Sequence, residues 1–276
     1  MPGTLFVVAT PIGNLADISP RALETLRSAA IVACEDTRTT QVLLSRNGVA
    51  ARMVALHEHN ERTASASLIE ALRGGTDVAV VSDAGTPAVS DPGARLVESA
   101  HREGIRVVAV PGPNAAVAAW SAAGFAVDGF LFLGFLPATR AARRKVLDAT
   151  DPVCPLILYE APHRVLETVE DLAARFGSAR EIVIARELTK KFEEVARLPL
   201  GEAAGWLAAG PHRQQGEFVL VLGPGEVPPD PAAAEGERVL ALLLEALPAS
   251  EAARLASRLT GASKNALYRR ALAAKK

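Results

Sequence analysis

Short apolar runs alternate with helix patterns through the first half of the chain, and that alternation leaves few folds open. Residues 4–9 (Thr-Leu-Phe-Val-Val-Ala) read as a buried strand, and Ser19-Pro20 caps and opens a helix through Arg27. Strands over 30–34, 52–56, 77–81 and 105–110 follow, with helices over 37–47, 60–73 and 92–103 between them. Gly48 and the Gly74-Gly75 pair stop two of those helices. Strands joined through helices pair in parallel and need cover on both faces, which explains runs as uniformly apolar as Val78-Ala79-Val80-Val81.

A second series follows. It has a small-residue helix over 114–123, strands over 130–133, 156–159, 181–185 and 218–222, and helices over 139–147 and 162–176. The Pro- and Gly-rich stretch Gly223-Pro224-Gly225-Glu226-Val227-Pro228-Pro229-Asp230-Pro231 reads as a linker, and three helix patterns lie beyond it. Ser263 would cap the last of them. The expected organisation is α/β. An N-terminal α/β domain spans 1–113, a second α/β domain 114–224, a linker 225–233 and a basic helical domain 234–276. The sheets should be mainly parallel or mixed.

Composition narrows the class. Hydrophobic residues make up 49% of the 276 and charged residues 22%, which argues for filled cores and against disorder. No apolar run approaches ~20 residues, so no membrane span is expected. The start has no basic segment before its apolar run, and the two cysteines, Cys34 and Cys154, sit apart in strand-like runs with no metal spacing. A cytoplasmic protein is the expectation. Net charge is −1, but the charge is uneven. One acid, Glu251, stands against Arg254, Arg258, Lys264, Arg269, Arg270, Lys275 and Lys276, and a second basic cluster is Arg140, Arg143, Arg144 and Lys145. Such clusters suit a polyanion, or else solvated helix faces whose basic ends answer the helix dipole.

The loops after the strands carry the chemistry. Ser82-Asp83-Ala84-Gly85-Thr86-Pro87-Ala88-Val89-Ser90-Asp91-Pro92-Gly93 packs small residues, two Asp and two Gly at a strand's carboxyl end, where open α/β sheets bind ligands. Its second half also reads as a plain connection, with Asp91 as a cap and Pro92 opening the next helix. Thr10-Pro11-Ile12-Gly13-Asn14 and Pro111-Gly112-Pro113-Asn114 share its style. None is a GxGxxG or GxxxxGK loop, and none holds the Lys or Arg that a polyphosphate requires. A neutral, Asp-bearing crevice suits a cationic or zwitterionic ligand. Three further strand ends set acids beside bases: Glu35-Asp36-Thr37-Arg38, Glu160-Ala161-Pro162-His163-Arg164 and Arg186-Glu187-Leu188-Thr189-Lys190. His57, His59 and His163 lack ligand spacing, so no metal site is expected.

The ordered set Ala9–Leu15, Cys34–Thr39, Val81–Pro87, Val110–Pro113 and Tyr159–Arg164 resembles the small-subunit ribosomal RNA methyltransferase I family. That family belongs to the tetrapyrrole-methylase-like class of S-adenosylmethionine enzymes. The resemblance runs from Leu5 to about Leu222, and Leu259-Thr260-Gly261 and Ala266-Leu267-Tyr268 are similar to the family's small C-terminal helical domain. It implies a two-domain α/β enzyme, usually a homodimer, that methylates the 2'-hydroxyl of a decoding-region cytidine in 16S rRNA or the small ribosomal subunit. By the same resemblance, cofactor contacts fall on Pro11 or Ile12, on Ser82, Asp83 and Thr86, on Asn114 and Ala115, on Glu160, and on the backbone near Leu188.

A ribose hydroxyl is a poor nucleophile at neutral pH, so a general base or a nearby cation should help by about 10²–10⁴-fold. Asp36, Glu187 and Lys190 are the candidates. Arg38, Arg164 and Arg186 are candidates for phosphate or developing charge. Arg140, Arg143, Arg144, Lys145, Lys264, Arg269 and Arg270 are expected to hold RNA, because phosphates dominate such affinity. Two other readings stay open: a tetrapyrrole or other small acceptor for the same cofactor, and a nucleic-acid-binding module built on the last helices.

Overall fold

The computed structural model describes residues 1–226 and 231–273. They form two compact units, Met1–Gly225 and Glu226–Lys276. The first unit opens with β1 (Thr4–Val8), α1 (Pro20–Ser28), β2 (Ile31–Cys34), α2 (Thr37–Arg46), β3 (Arg52–Ala55), α3 (Glu61–Arg73), β4 (Val78–Val81), α4 (Ala94–Arg102) and β5 (Arg106–Val110). Its five strands make one wholly parallel sheet in the order β3-β2-β4-β1-β5. The strand period of two explains the cover on both faces. Val78 and Val80 pack with Leu68, Leu72 and Leu96 of α3 and α4. Ala79 and Val81 pack with Ala22, Leu26 and Leu44 of α1 and α2.

The unit continues with α5 (Ala115–Ala123), β6 (Leu131–Phe135), α6 (Arg140–Asp148), β7 (Leu156–Glu160), α7 (Val165–Phe176), β8 (Glu181–Arg186), β9 (Glu194–Pro199), α8 (Leu200–Ala208) and β10 (Phe218–Leu222). This second sheet is mixed, in the order β6-β7-β10-β8-β9, with β6 and β7 parallel and the other pairs antiparallel. Both expected sheet types are therefore present. Its large side chains, Leu156, Leu158, Ile184 and Leu220, face α7 and α8. Its other face meets Ala116, Ala119 and Ala123 of α5, where alanines let helix and sheet approach closely.

Two elements leave no clear trace in the sequence. Along β9 the inward positions are Glu194, Ala196 and Leu198, while Val195 points out, so the usual apolar-in alternation is scrambled. In α8, Gly201 and Gly205 lower the helix signal. A Cβ on Gly201 would lie 2.7 Å from that of Ser178, so tight packing sets that residue. Cys154 stands in the connection before β7 rather than in a strand.

The start of α4 corrects one reading. Asp91 does not cap it and Pro92 does not open it. The helix begins at Ala94, after Gly93 at φ +120°, with no cap from its own sequence. Glu61 of α3 supplies one instead: its Oε1 accepts from the Gly93 and Arg95 N–H groups at 2.9 and 3.1 Å. A carboxylate there also answers the positive end of the helix dipole.

The second unit, where described, holds α9 (Pro231–Leu244), α10 (Ala249–Thr260) and α11 (Lys264–Ala273). Its small core is alanine-rich, with Leu240, Ala252, Ala256 and Leu267 at the centre. Gly261, left-handed at φ +79°, ends α10, and the Ser263 Oγ accepts from the Ala266 N–H at the start of α11. Four of the nine residues of the expected linker (227–230), together with Lys275 and Lys276, lie outside the described residues.

Glu61→Ala should destabilise the protein by about 1–2 kcal/mol by leaving two helix-start N–H groups without a partner. Thermal unfolding followed by circular dichroism checks this, and Glu61→Gln should lose less.

Candidate active site

The loops after β1 and β4 are tied together at the carboxyl edge of the first sheet. Thr10 and Gly85 exchange both backbone hydrogen bonds, at 2.9 and 3.1 Å. The buried Thr10 hydroxyl donates to the Ser82 carbonyl at 3.0 Å, and the Ser82 hydroxyl donates to the Gly85 carbonyl at 3.1 Å. Gly85 sits at φ +85°, and a Cβ there would come within 3.2 Å of Ile12. Thr86 donates its hydroxyl to the Pro113 carbonyl at 3.0 Å, which draws in the loop after β5. Asp83 accepts from the Asp36 N–H at 3.1 Å, which draws in the loop after β2.

These loops wall one side of a cavity of about 390 Å³, and the ends of β7, β8 and β10 wall the other. Apolar contacts come from Ile12, Ala84, Val89, Leu188 and Val219, and the side chains of Phe135 and Tyr159 lie against each other at its edge. Among the described residues no Lys or Arg lines it, while Asp91, Glu160 and Glu217 do. Two strained loops border it. Among the described residues, the non-glycine positions with positive φ are Ala88, Ser90, Glu187 and Thr189, at +52° to +68°. Each costs on the order of 1–3 kcal/mol, and such strain gathers at ligand sites.

Six of the expected cofactor positions line this cavity: Ile12, Thr86, Asn114, Ala115, Glu160 and Leu188. Pro11, Ser82 and Asp83 do not; Ser82 and Asp83 instead hold the loops in place. Asn114 also caps α5, accepting from the Val117 N–H at 3.1 Å. The Glu160 carboxylate is buried, with the Thr168 hydroxyl 2.6 Å and the Arg164 Nε 3.2 Å away.

The three candidate bases stand outside the lining. Asp36 caps α2, accepting from the Arg38 N–H at 2.8 Å, and Arg38 itself extends into solvent. Lys190 lies 2.9 Å from both Glu187 and Glu217. Burial opposes its charge, but those two carboxylates raise the ammonium above its ordinary range. Burial likewise works to raise Glu187, yet Lys190 and the Glu217 N–H hold its carboxyl below the usual range. Lys190 is thus a fixed cation and Glu187 a weak proton acceptor.

Asp91, one of three carboxylates in the cavity lining, is the residue that sequence reasoning set aside as a cap. Burial pushes it up to about 6, helped by the charges of Glu35 and Asp83, while the Ser82 hydroxyl pulls the other way. Tyr159 is also raised, by burial and by Asp91, although its Oη accepts from the Ala116 N–H. The second Asp of a loop already rich in acid was the signal for Asp91. Its place in the lining goes with a distant Glu61 capping α4 instead.

The basic residues divide. Arg143 is fully buried, 2.8 Å from Asp171, so it is a correction to the expected RNA-facing cluster. Arg140 and Arg144, half exposed, also bind Asp171, at 2.9 and 2.8 Å. Burial opposes the Asp171 charge, and the three guanidiniums more than offset it and lower its pKa. Lys145 stays at the surface of α6. Arg164 donates to the Leu136 and Pro137 carbonyls, and buried Arg186 to that of Gln215. In the second unit, Lys264, Arg269 and Arg270 are exposed on α11.

Residues 4–204 match the family model for Tetrapyrrole (Corrin/Porphyrin) Methylases, and residues 230–275 match that for the RsmI C-terminal HTH domain. A ribosomal RNA small subunit methyltransferase I from Pseudomonas aeruginosa is 52% identical, over 98% of this chain and 97% of its own. One from Escherichia coli O157:H7 is 46% identical, over 98% and 95%. The chain belongs to the ribosomal RNA small subunit methyltransferase I family. Solved structures agree on the tetrapyrrole-methylase fold. The methyltransferase CobJ aligns with a TM-score of 0.60 at 22% identity, covering 82% of this chain and 98% of its own. A uroporphyrin-III C-methyltransferase from Thermus thermophilus, complexed with S-adenyl homocysteine, aligns at 0.54 and 18%, covering 80% and 97%. Among the described residues no His, Cys, Asp and Glu group suits a metal ion, and no helix is long and apolar enough to cross a membrane.

Asp91 makes stability depend on pH. Its folded pKa of about 6 exceeds its ordinary 3.8, so the folded protein binds more protons between those values. Stability from this group is therefore greatest below about pH 4, falls as pH rises to about 6, and stays reduced above. Asp91→Asn should stabilise the protein by about 1–3 kcal/mol at pH 7.5 and by little at pH 4. Urea unfolding at the two pH values measures the difference.

Proposed function

We propose that the protein methylates small-subunit ribosomal RNA from S-adenosylmethionine, at the 2'-hydroxyl of a decoding-region cytidine. The observation that carries the cofactor reading is the cavity at the strand ends, which holds carboxylates and no lysine or arginine. S-adenosylmethionine supplies a sulfonium methyl group for displacement by an oxygen. A cationic sulfonium with a zwitterionic tail fits such a lining, and a polyphosphate does not. The rigid, glycine-permitted approach of Gly85 to Ile12 leaves backbone available on that wall. Ile12, Thr86, Asn114, Ala115, Glu160 and Leu188 would hold the cofactor there, with Pro11, Ser82 and Asp83 shaping the loops behind them.

The acceptor proton needs a base inside the cavity, and we assign it to Asp91. An acid of pKa near the working pH combines ionisation at pH 7 with real proton affinity. The oxygen–methyl bond forms as the sulfur–methyl bond breaks, and the hydroxyl proton passes to the Asp91 carboxylate. Aligning the reacting atoms contributes about 7–11 kcal/mol in well-ordered sites of this type. The preference for RNA over a tetrapyrrole is supported by full-length identity to relatives named for ribosomal RNA, and by the match of the last helices to an HTH model. A cytoplasmic homodimer is part of the same reading, and sedimentation of the purified protein tests the dimer.

Incubating the protein with S-adenosylmethionine and small ribosomal subunits should place a 2'-O-methyl group on one decoding-region cytidine, read by mass mapping of the RNA. Methyl transfer to a base, or none, would defeat the ribose assignment. Asp91→Asn should lower the single-turnover rate at saturating S-adenosylmethionine by about 10²-fold or more, where any loss of cofactor affinity drops out.

A further inference from the structure

We infer that a second site beside the cavity, between Gly13, Asn14 and Arg46 on one side and Thr189, Lys190 and Lys191 on the other, takes a backbone phosphate of the acceptor RNA. The inference rests on the RNA reading above. It begins with charge that nothing else uses. The Arg46 guanidinium, in the last turn of α2, is exposed and makes no hydrogen bond or ion pair among the described residues. Lys191 lies 5.5 Å over the Phe192 ring and pairs with no acid among the described residues. The expected RNA cluster on α6 differs: three of its four basic residues share Asp171.

A third donor completes the set. The Thr189 Oγ1 is buried with no hydrogen-bond partner among the described residues, in a residue strained to φ +66°. Thr189 lines the same hollow as Arg46 and Lys191. Among the described residues no acid lines that hollow. The nearby carboxylates are engaged: Glu187 and Glu217 hold Lys190, and Glu193 accepts from the Thr189 N–H. Gly13 allows the two walls to meet, since a Cβ there would lie 2.5 Å from the Lys190 Cγ and 3.0 Å from the Thr189 Oγ1.

Position supplies the rest. Ile12 and Leu188 line the methyl-transfer cavity, and their chain neighbours Gly13 and Thr189 line the hollow. The two sites are thus one residue apart, about 3.8 Å along the chain, on both walls. In RNA the 2'-hydroxyl and the 3'-phosphate share one ribose. A strand whose 2'-oxygen enters the cavity must set that phosphate a few ångströms away, and this hollow offers uncommitted donors there. Arginine adds a planar fork suited to phosphate oxygens.

The test uses the full chain with small-subunit RNA, at several KCl concentrations. The double variant Arg46→Gln/Lys191→Gln should raise KM for RNA roughly tenfold, the weight of one charge-assisted hydrogen bond. Its slope of log affinity against log salt should shrink by about 0.7, the share of one phosphate on a single strand. Affinity for S-adenosylmethionine should hold within twofold. Arg46→Glu should weaken RNA further, and both side chains are exposed, so thermal melting should match the parent. An unchanged slope and KM overturn the inference, as does an equal loss of cofactor affinity. A parent protein that transfers no methyl group to the RNA overturns the RNA reading itself, which is a separate result from variants that bind RNA as the parent does.

Discussion

The backbone pair between Thr10 and Gly85 is the contact on which the rest of the site depends. It joins the loops of two adjacent parallel strands just beyond the sheet, where strand pairing would otherwise end. Each further tie builds on it. The Thr10 and Ser82 hydroxyls satisfy the turning carbonyls, Thr86 reaches the loop after β5, and Asp83 reaches the loop after β2. Buried backbone groups must find partners, and here they find them in one another. The outcome is a wall made of main chain and small side chains, held rigid before any ligand arrives.

Rigidity at this wall has a cost elsewhere in the backbone. Ala88 and Ser90 adopt left-handed conformations, and Gly93 turns sharply into α4. A loop bent in that way cannot cap its own helix. Glu61 caps it from α3, and Asp91 is left to face the cavity. One long-range carboxylate thus leaves another lining the cavity. Desolvation and two neighbouring acids then move Asp91 into the range where a carboxyl exchanges protons near neutral pH.

Charge is sorted on a short length scale. Among the described residues the cavity lining holds no lysine or arginine, while cations stand just past its edge at Arg46, Lys190 and Lys191. Of these, Lys190 is neutralised by two carboxylates, so its role is to join the loops after β8 and before β10. Buried Arg143 shows the same distinction on α6, where a side chain that counts toward a basic patch in sequence acts as a structural counterion to Asp171. A positive charge counts toward a polyanion only when no carboxylate already holds it.

Most of the fold was legible in the chain. Uniform apolar runs such as Val78–Val81 and Phe218–Leu222 place the strands, Ser19-Pro20 and Asn114 place helix starts, and glycines place helix ends. The elements that escaped, β9 and α8, are an edge strand with an inward Glu194 and a helix holding two glycines; neighbours stabilise both against weak local signals. In the site, the sequence by itself determined which loops are small, neutral and acid-bearing, because those properties are local. Only the tertiary structure decided which residues in those loops are free to act. Asp91 was left in the cavity lining by the Glu61 cap, Asp36 and Lys190 were engaged by caps and ion pairs, and Arg46 stands beside Thr189 with no partner among the described residues. The physical reason is that a side chain's availability is set by the partners that folding brings to it, and those partners lie from two to tens of residues away in the chain.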